Sequence, residues 1–252
     1  EAKDKTFEVT VAKIGTALWD EMKENARLAS TRRNNKGAMQ IVQRIAQEVL
    51  EPIKSKVQDS WEIHVVGHSA GSIFIGYALK ILVNIGIPLK TIQLMAPAIT
   101  YEAFKELYMP HIRGKRSPVP TMYLLGDDAE KRDTVGPYGK SLLYLVSNAF
   151  EGRRETPILG MERFLDNTAW DPDNHYKNVV GLYANGSTVD GRPTLVVSDI
   201  GHQHNDGADS TGDISGSTTH GDFDNDAATM NSVLWRILGA QPARLFTSRD
   251  LA

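Results

Sequence analysis

An α/β fold built on a mostly parallel sheet flanked by helices is predicted by three features of the sequence. Short apolar, β-favouring runs alternate four times with segments of helical periodicity. Those runs read as buried strands, as a sheet covered by helices on both faces requires. The chain has 252 residues, 41% of them apolar, with 21 Gly and 11 Pro. That is the profile of a globular protein with a sizeable core, and a single α/β domain over 1–252 is the default at this length.

Val11, Ile14, Leu18, Met22 and Ala26 recur at near-helical spacing, so a first helix is expected to end near STRRNNKG. After Gly37, the positions Met39, Ile41, Val42, Ile45, Val49 and Leu50 build one apolar face, which Pro52 is expected to close. WEIHVVG then reads as a strand and SIFIGYALKILVNIG as a largely apolar helix. TIQLMAP (strand), EAFKELYMPHI (helix), PTMYLLG (strand), GKSLLYLVSNAF (helix) and PTLVVSD (strand) continue the pattern. DAATMNSVLWRILG is the final helix, with Gly239 at its end. Two irregular stretches interrupt the alternation. One is 151–193, where VVGLYANG could add a strand; the other is 199–221, rich in Gly, Ser and Asp. A long loop inside a compact domain is usually functional or mobile.

Composition removes several function classes. The formal charge is -3, and basic residues such as Arg32, Arg33, Lys36, Arg113, Lys115 and Arg116 come in short scattered groups, so nucleic acid is not an expected partner. With no cysteine, thiolate catalysis, disulfides and Cys-ligated metal sites are excluded. No stretch approaches the ~20 apolar residues of a membrane span. EAKDKTFEVT lacks the basic and apolar segments of a signal peptide. A soluble chain is expected, in the cytoplasm rather than secreted, although composition does not determine the compartment.

Gly67, His68, Ser69, Ala70 and Gly71 match G-x-S-x-G at the junction of a predicted strand and a predicted helix. A serine on such a turn is forced into a strained backbone that lifts its hydroxyl above the sheet, while the flanking glycines remove side chains that would collide. The helix N-terminus then faces developing negative charge, with the Ala70 amide as oxyanion donor. A serine that merely caps the helix is the alternative.

A serine hydroxyl needs a base, normally a histidine oriented by a carboxylate. Of seven histidines, His64 and His68 lie in the strand and the elbow and are expected to pack or bond locally, with His68 also close enough to touch substrate. His111 and His175 lie outside the last-strand loop. His220 sits between the last strand and the last helix, in THGDFDND, and is preferred over His202 and His204 on the same loop; Asp226 should start that helix. The acid should follow PTMYLLG. Asp133 is preferred narrowly over Asp127, ahead of Asp128 and Glu130.

With these residues in place, the chain resembles the α/β-hydrolase superfamily: GHSAG as nucleophile elbow, an acid loop after PTMYLLG and THGDFDND as histidine loop. LWDEMKENARLAS, VGHSAGSIF, YGKSLLYLVSNAFE and FDNDAATMNSVLWRILG together look like a poorly characterised bacterial branch of it. The resemblance implies a cofactor-free esterase acting on a small-molecule ester, polyesters included. Acyl transfer and amide or peptide cleavage use the same chemistry, and a non-catalytic binding module can share the fold. One departure stands out, because nothing before Ser69 matches the upstream His-Gly-Gly turn that supplies a second oxyanion donor in such enzymes. The expected reason is that the chain is the C-terminal part of a longer protein. A removed or replaced N-terminal region, or donation from NNKG, would also account for it.

Metal binding is weakly signalled. DFDND begins like a calcium loop, but Ala227 and Val233 stand where the turn glycine and the bidentate glutamate are needed. HQHNDGADSTGD offers His202, His204, Asp206 and Asp209 as possible ligands, against a polar surface loop.

Overall fold

The structure, a computed structural model, describes residues 2–30, 37–54, 61–85, 88–166, 168–199 and 212–251. Helix α1 spans Ala2–Ser30. Helix α2 (Ala38–Ile45) runs through a π-helical turn, Ala46–Leu50, into α3 (Glu51–Lys54). Pro52 therefore does not end the segment. A π turn stands just before it, and the helical run continues past it to Lys54.

Strand β1 (Ile63–His68) feeds α4 (Gly71–Leu82), and β2 (Leu89–Met95) feeds α5 (Tyr101–Leu107) and α6 (Met109–Arg113). The single helix expected over 102–112 is thus broken in two, with Pro110 in the first turn of α6, the position proline tolerates. Strand β3 (Thr121–Leu124) leads to α7 (Asp127–Arg132) and α8 (Leu142–Leu145), which a π turn, Val146–Phe150, prolongs. Short helices α9 (Arg163–Asp166) and α10 (Lys177–Val180) follow.

VVGLYANG forms no strand; it ends α10 and turns. A small hairpin comes just after it, β4 (Thr188–Val189) with β5 (Arg192–Pro193). Its loop is Asp190-Gly191, both at positive φ (50° and 77°), the geometry that Asp-Gly supplies in a two-residue hairpin turn. Strand β6 (Leu195–Val197) and helix α11 (Ala227–Leu238) complete the chain.

The main sheet has the order β1-β2-β3-β6, and all three pairings are parallel. Helices cover both faces at β2. Gln93 donates from Nε2 to the Val233 carbonyl of α11 at 3.3 Å, and Tyr123 of β3 reaches both Gln93 and Ser232 through its hydroxyl. Since strand side chains alternate, Ile92 and Leu94 point the other way. That is the side on which Val65, paired with Ile92, packs with Phe74, Ala78 and Leu82 of α4. Strand β1 is an edge, and Val66 at its middle is 40% exposed.

Helix α1 lies across α4 and the π turn at 146–150. Gly15 permits the close approach, for a Cβ there would stand 2.1 Å from the Phe150 ring. Deeper in, Glu8 accepts from Tyr138 Oη (2.7 Å), Asn148 Nδ2 (2.8 Å) and Arg154 (2.8 Å). Burial alone would raise the Glu8 carboxyl, but these donors outweigh it and hold it below the usual range. Glu8→Ala leaves three donors without their acceptor. It should lower stability by about 1–3 kcal/mol in urea unfolding at neutral pH, with an unchanged denaturant slope.

Candidate active site

Ser69 lies between the end of β1 and the start of α4, and its φ is 52°, a left-handed conformation that non-glycine residues rarely adopt. Its main chain is held from several sides. The Ser69 amide donates to Met95 O at 2.9 Å, and its carbonyl accepts from Ser72 Oγ (2.7 Å), the Ser72 amide (3.1 Å) and the Ala98 amide (3.1 Å). Ser72 Oγ itself accepts from the Ile99 amide at 3.2 Å, and the Tyr108 hydroxyl donates to Ser72 O at 2.6 Å. Nothing in the sequence pattern pointed to Ser72. It is fully buried in the first turn of α4, and its partners come from the fold rather than from a sequence pattern.

The two glycines of the elbow differ. A Cβ on Gly67 would meet Ile75 Cδ1 at 2.4 Å and the Gly71 main chain at 3.3 Å, so a side chain there would force Ile75 to move and crowd the first turn of α4. At Gly71 a Cβ would meet nothing within 4 Å. The expectation that both avoid a collision is corrected for Gly71, which opens onto space. Ala70 precedes the first turn of α4, so its amide belongs to the helix-terminal N–H groups that have no intrahelical acceptor.

His220 Nε2 stands 2.9 Å from Ser69 Oγ. The histidine is only 6% exposed, and burial, with a smaller contribution from His68, lowers its imidazole to a pKa of about 4. It is therefore neutral at pH 7, with one nitrogen able to accept a proton. Its Nδ1 is buried and has no hydrogen-bond partner among the described residues. The loop carrying it is tied to α11 by Asp226, whose Oδ2 accepts from the amides of Gly216 and Thr229, each at 2.8 Å, and from the Thr229 hydroxyl at 2.6 Å. Asp226 is the N-cap of α11, as its position before the last helix predicts.

The two candidate acids separate. Asp133 caps the C-terminus of α7; its Oδ2 accepts from the His220 amide at 2.8 Å and its Oδ1 from the Thr134 amide at 2.8 Å. It meets the histidine through the main chain. Asp127 is engaged elsewhere, accepting from the Tyr144 hydroxyl at 2.6 Å and pairing with Lys131 at 2.5 Å. Burial pushes Asp127 up, but Lys131 and Tyr144 outweigh that and keep its pKa low. Glu130, buried between them in sequence, accepts from the Ser141 hydroxyl; burial raises it to about 8, and the nearby carboxylates of Asp133, Asp127 and Glu162 add to the rise. Asp128 forms only a surface contact with Lys131 at 3.9 Å.

The expectation that His68 bonds locally is corrected: its Nε2 lies 2.7 Å from the carbonyl of His220, far along the chain, and the two rings are 5.3 Å apart. His64 Nδ1 contacts Thr91 Oγ1 at 2.9 Å across the sheet. His202, His204, Asp206 and Asp209 lie outside the described residues, as does NNKG except for Gly37. Among the described residues no three His, Asp or Glu side chains gather as a metal site, and no helix is long and apolar enough to cross a membrane.

Fold and site together define an α/β chain with a strained serine at a strand-to-helix turn, in contact with a buried neutral histidine. No known protein family matches the chain, and no curated protein or solved structure is significantly similar to it. Ser72→Ala removes one of three donors to the Ser69 carbonyl and leaves the buried Ile99 amide unpaired. A stability loss of about 1–3 kcal/mol is expected by thermal or urea unfolding.

Proposed function

We propose that the chain is a serine hydrolase of α/β-hydrolase architecture that cleaves carboxylic esters through an acyl-enzyme. The observation that carries this is the 2.9 Å approach of His220 Nε2 to the hydroxyl of a serine held at φ 52°. In the first step Ser69 Oγ attacks the ester carbonyl while its proton passes to His220 Nε2. The negative charge gathering on the carbonyl oxygen is met by the Ala70 amide at the N-terminus of α4. The alcohol leaves with the proton from His220; water, deprotonated by the same nitrogen, then releases the carboxylic acid.

For Nε2 to accept, the proton of the neutral ring must sit on Nδ1. Asp133 is the acid suited to receive it. Its Oδ2 already holds the His220 amide, and a carboxylate oxygen can accept a second hydrogen bond, so the same group has the capacity to take Nδ1–H. Hydrogen bonds of this kind are often loose before substrate arrives.

A second reading, a binding module without turnover, is favoured by the edge position of β1 among the described strands, with Ala70 the one oxyanion donor identified among the described residues. Losing one of two donors costs about a hundredfold to a thousandfold in rate. Labelling by a fluorophosphonate and turnover of a p-nitrophenyl acyl ester separate the two. The hydrolase should label, and Ser69→Ala should abolish labelling and turnover alike; a folded wild-type protein that does neither refutes it. Asp133→Asn should lower kcat by roughly 10²–10⁴, while Asp127→Asn stays within about threefold. Because the base works deprotonated and burial lowers its pKa, kcat/KM should fall as the pH drops through about 4 rather than near 6.5.

A further inference from the structure

His220 lies in neither helix nor strand. Its main chain is nevertheless gripped at both polar atoms by side chains from two other parts of the chain. The amide donates to Asp133 Oδ2, at the end of α7 beyond β3, and the carbonyl lies 2.7 Å from His68 Nε2, the last residue of β1. A carbonyl only accepts, so His68 Nε2 carries the proton in this contact. The ring of His68 is fixed in turn by packing at 6.2 Å, edge-on, against Phe223, which is fully buried three residues beyond His220.

Ser69 follows His68 directly. The residue beside the nucleophile therefore grips the backbone of the residue proposed as the base, and the Ser69–His220 distance is set across a bridge of one imidazole.

We propose that His68 is a positioning residue for His220: by donating from Nε2 to the His220 carbonyl, opposite the Asp133 grip on the amide, it sets the reach of the imidazole to Ser69 Oγ. The inference rests on the hydrolase reading of the same site. His68 acts through His220 and takes no proton from the substrate. This differs from a substrate-contact role, in which the ring would face the incoming ester.

The test compares His68→Phe, which keeps a planar ring and loses the donor, with His68→Gln, which keeps an N–H donor. Steady-state hydrolysis of a p-nitrophenyl ester should show kcat of His68→Phe down by about 10–100-fold with KM within about threefold, the scale expected for a small misplacement of a catalytic group. His68→Gln should recover most of that loss at equal thermal stability. An unchanged kcat in folded His68→Phe overturns the proposal, and so does a raised KM at unchanged kcat, which would mark His68 as a substrate contact. A kcat loss that follows the melting temperature in both variants also overturns it, leaving a structural role only.

A readout that needs no turnover keeps the two ideas apart. In ¹⁵N-imidazole spectra the His220 ring signals should shift in His68→Phe and return toward the wild-type positions in His68→Gln. Should wild-type protein neither label nor hydrolyse, the hydrolase reading fails by itself. Unmoved His220 signals, by contrast, refute the grip whatever the activity.

Discussion

The arrangement depends on a single backbone torsion. A left-handed φ at a serine costs on the order of 1–2 kcal/mol, and such a conformation persists only where its surroundings over-determine it. Here three donors converge on the Ser69 carbonyl, one of them a buried hydroxyl that also caps the Ile99 amide. The neighbouring strand end takes part as well, since Met95 accepts from the Ser69 amide and Ala96, itself at φ 41°, donates to Tyr123 O. Strand β2, the first turn of α4 and the 96–99 segment thus share in holding one residue. Were that torsion to relax, the hydroxyl would drop toward the sheet and lose its partner.

The histidine is fixed by a different means. Its loop has no ladder or helix of its own, and three side chains stand in: Asp226 anchors the Gly216 amide to α11, and Asp133 and His68 take the main chain of residue 220. The elbow is held mainly by backbone geometry, the histidine by polar side chains. The grips of Asp133 and His68 both end on the main chain of residue 220, while Nδ1 of its buried ring has no hydrogen-bond partner among the described residues.

Much of the architecture was legible because hydrophobic patterning and fold agree. All four strand runs, WEIHVVG, TIQLMAP, PTMYLLG and PTLVVSD, contain strands of the sheet, and α1, α4 and α11 fall where their periodicity predicts. The misses come from chain punctuation. Pro52 reads as a stop although a π turn lets the helix through, and Pro110 divides a segment that reads as one helix. VVGLYANG has β-favouring residues but lies in a helix end and turns, while the Asp190-Gly191 signal beside it marks the true hairpin. At the candidate site, chain order picks out Ser69 and His220, whose side chains the fold brings within 2.9 Å, but it does not separate Asp133 from Asp127 as candidates. That choice depends on Tyr144 and Lys131, which claim Asp127, and no local pattern shows a partner 17 residues away. Ser72 and the His68–His220 contact were invisible for the same reason.

Glu130 and His220 also tie folding to proton uptake, in opposite senses. The buried Glu130 is raised from 4.5 to about 8, so between those values the folded chain holds a proton that the unfolded chain releases, and alkali weakens the fold. The buried His220 is lowered from 6.5 to about 4, so in that interval the unfolded chain holds the extra proton, and acid weakens the fold. Where the intervals overlap, from 4.5 to 6.5, the two slopes oppose one another; above 6.5 only the glutamic acid still acts. Within the span from about 4 to about 8 over which these groups titrate, mildly acidic water is therefore where the pair makes the molecule least sensitive to small changes in acidity.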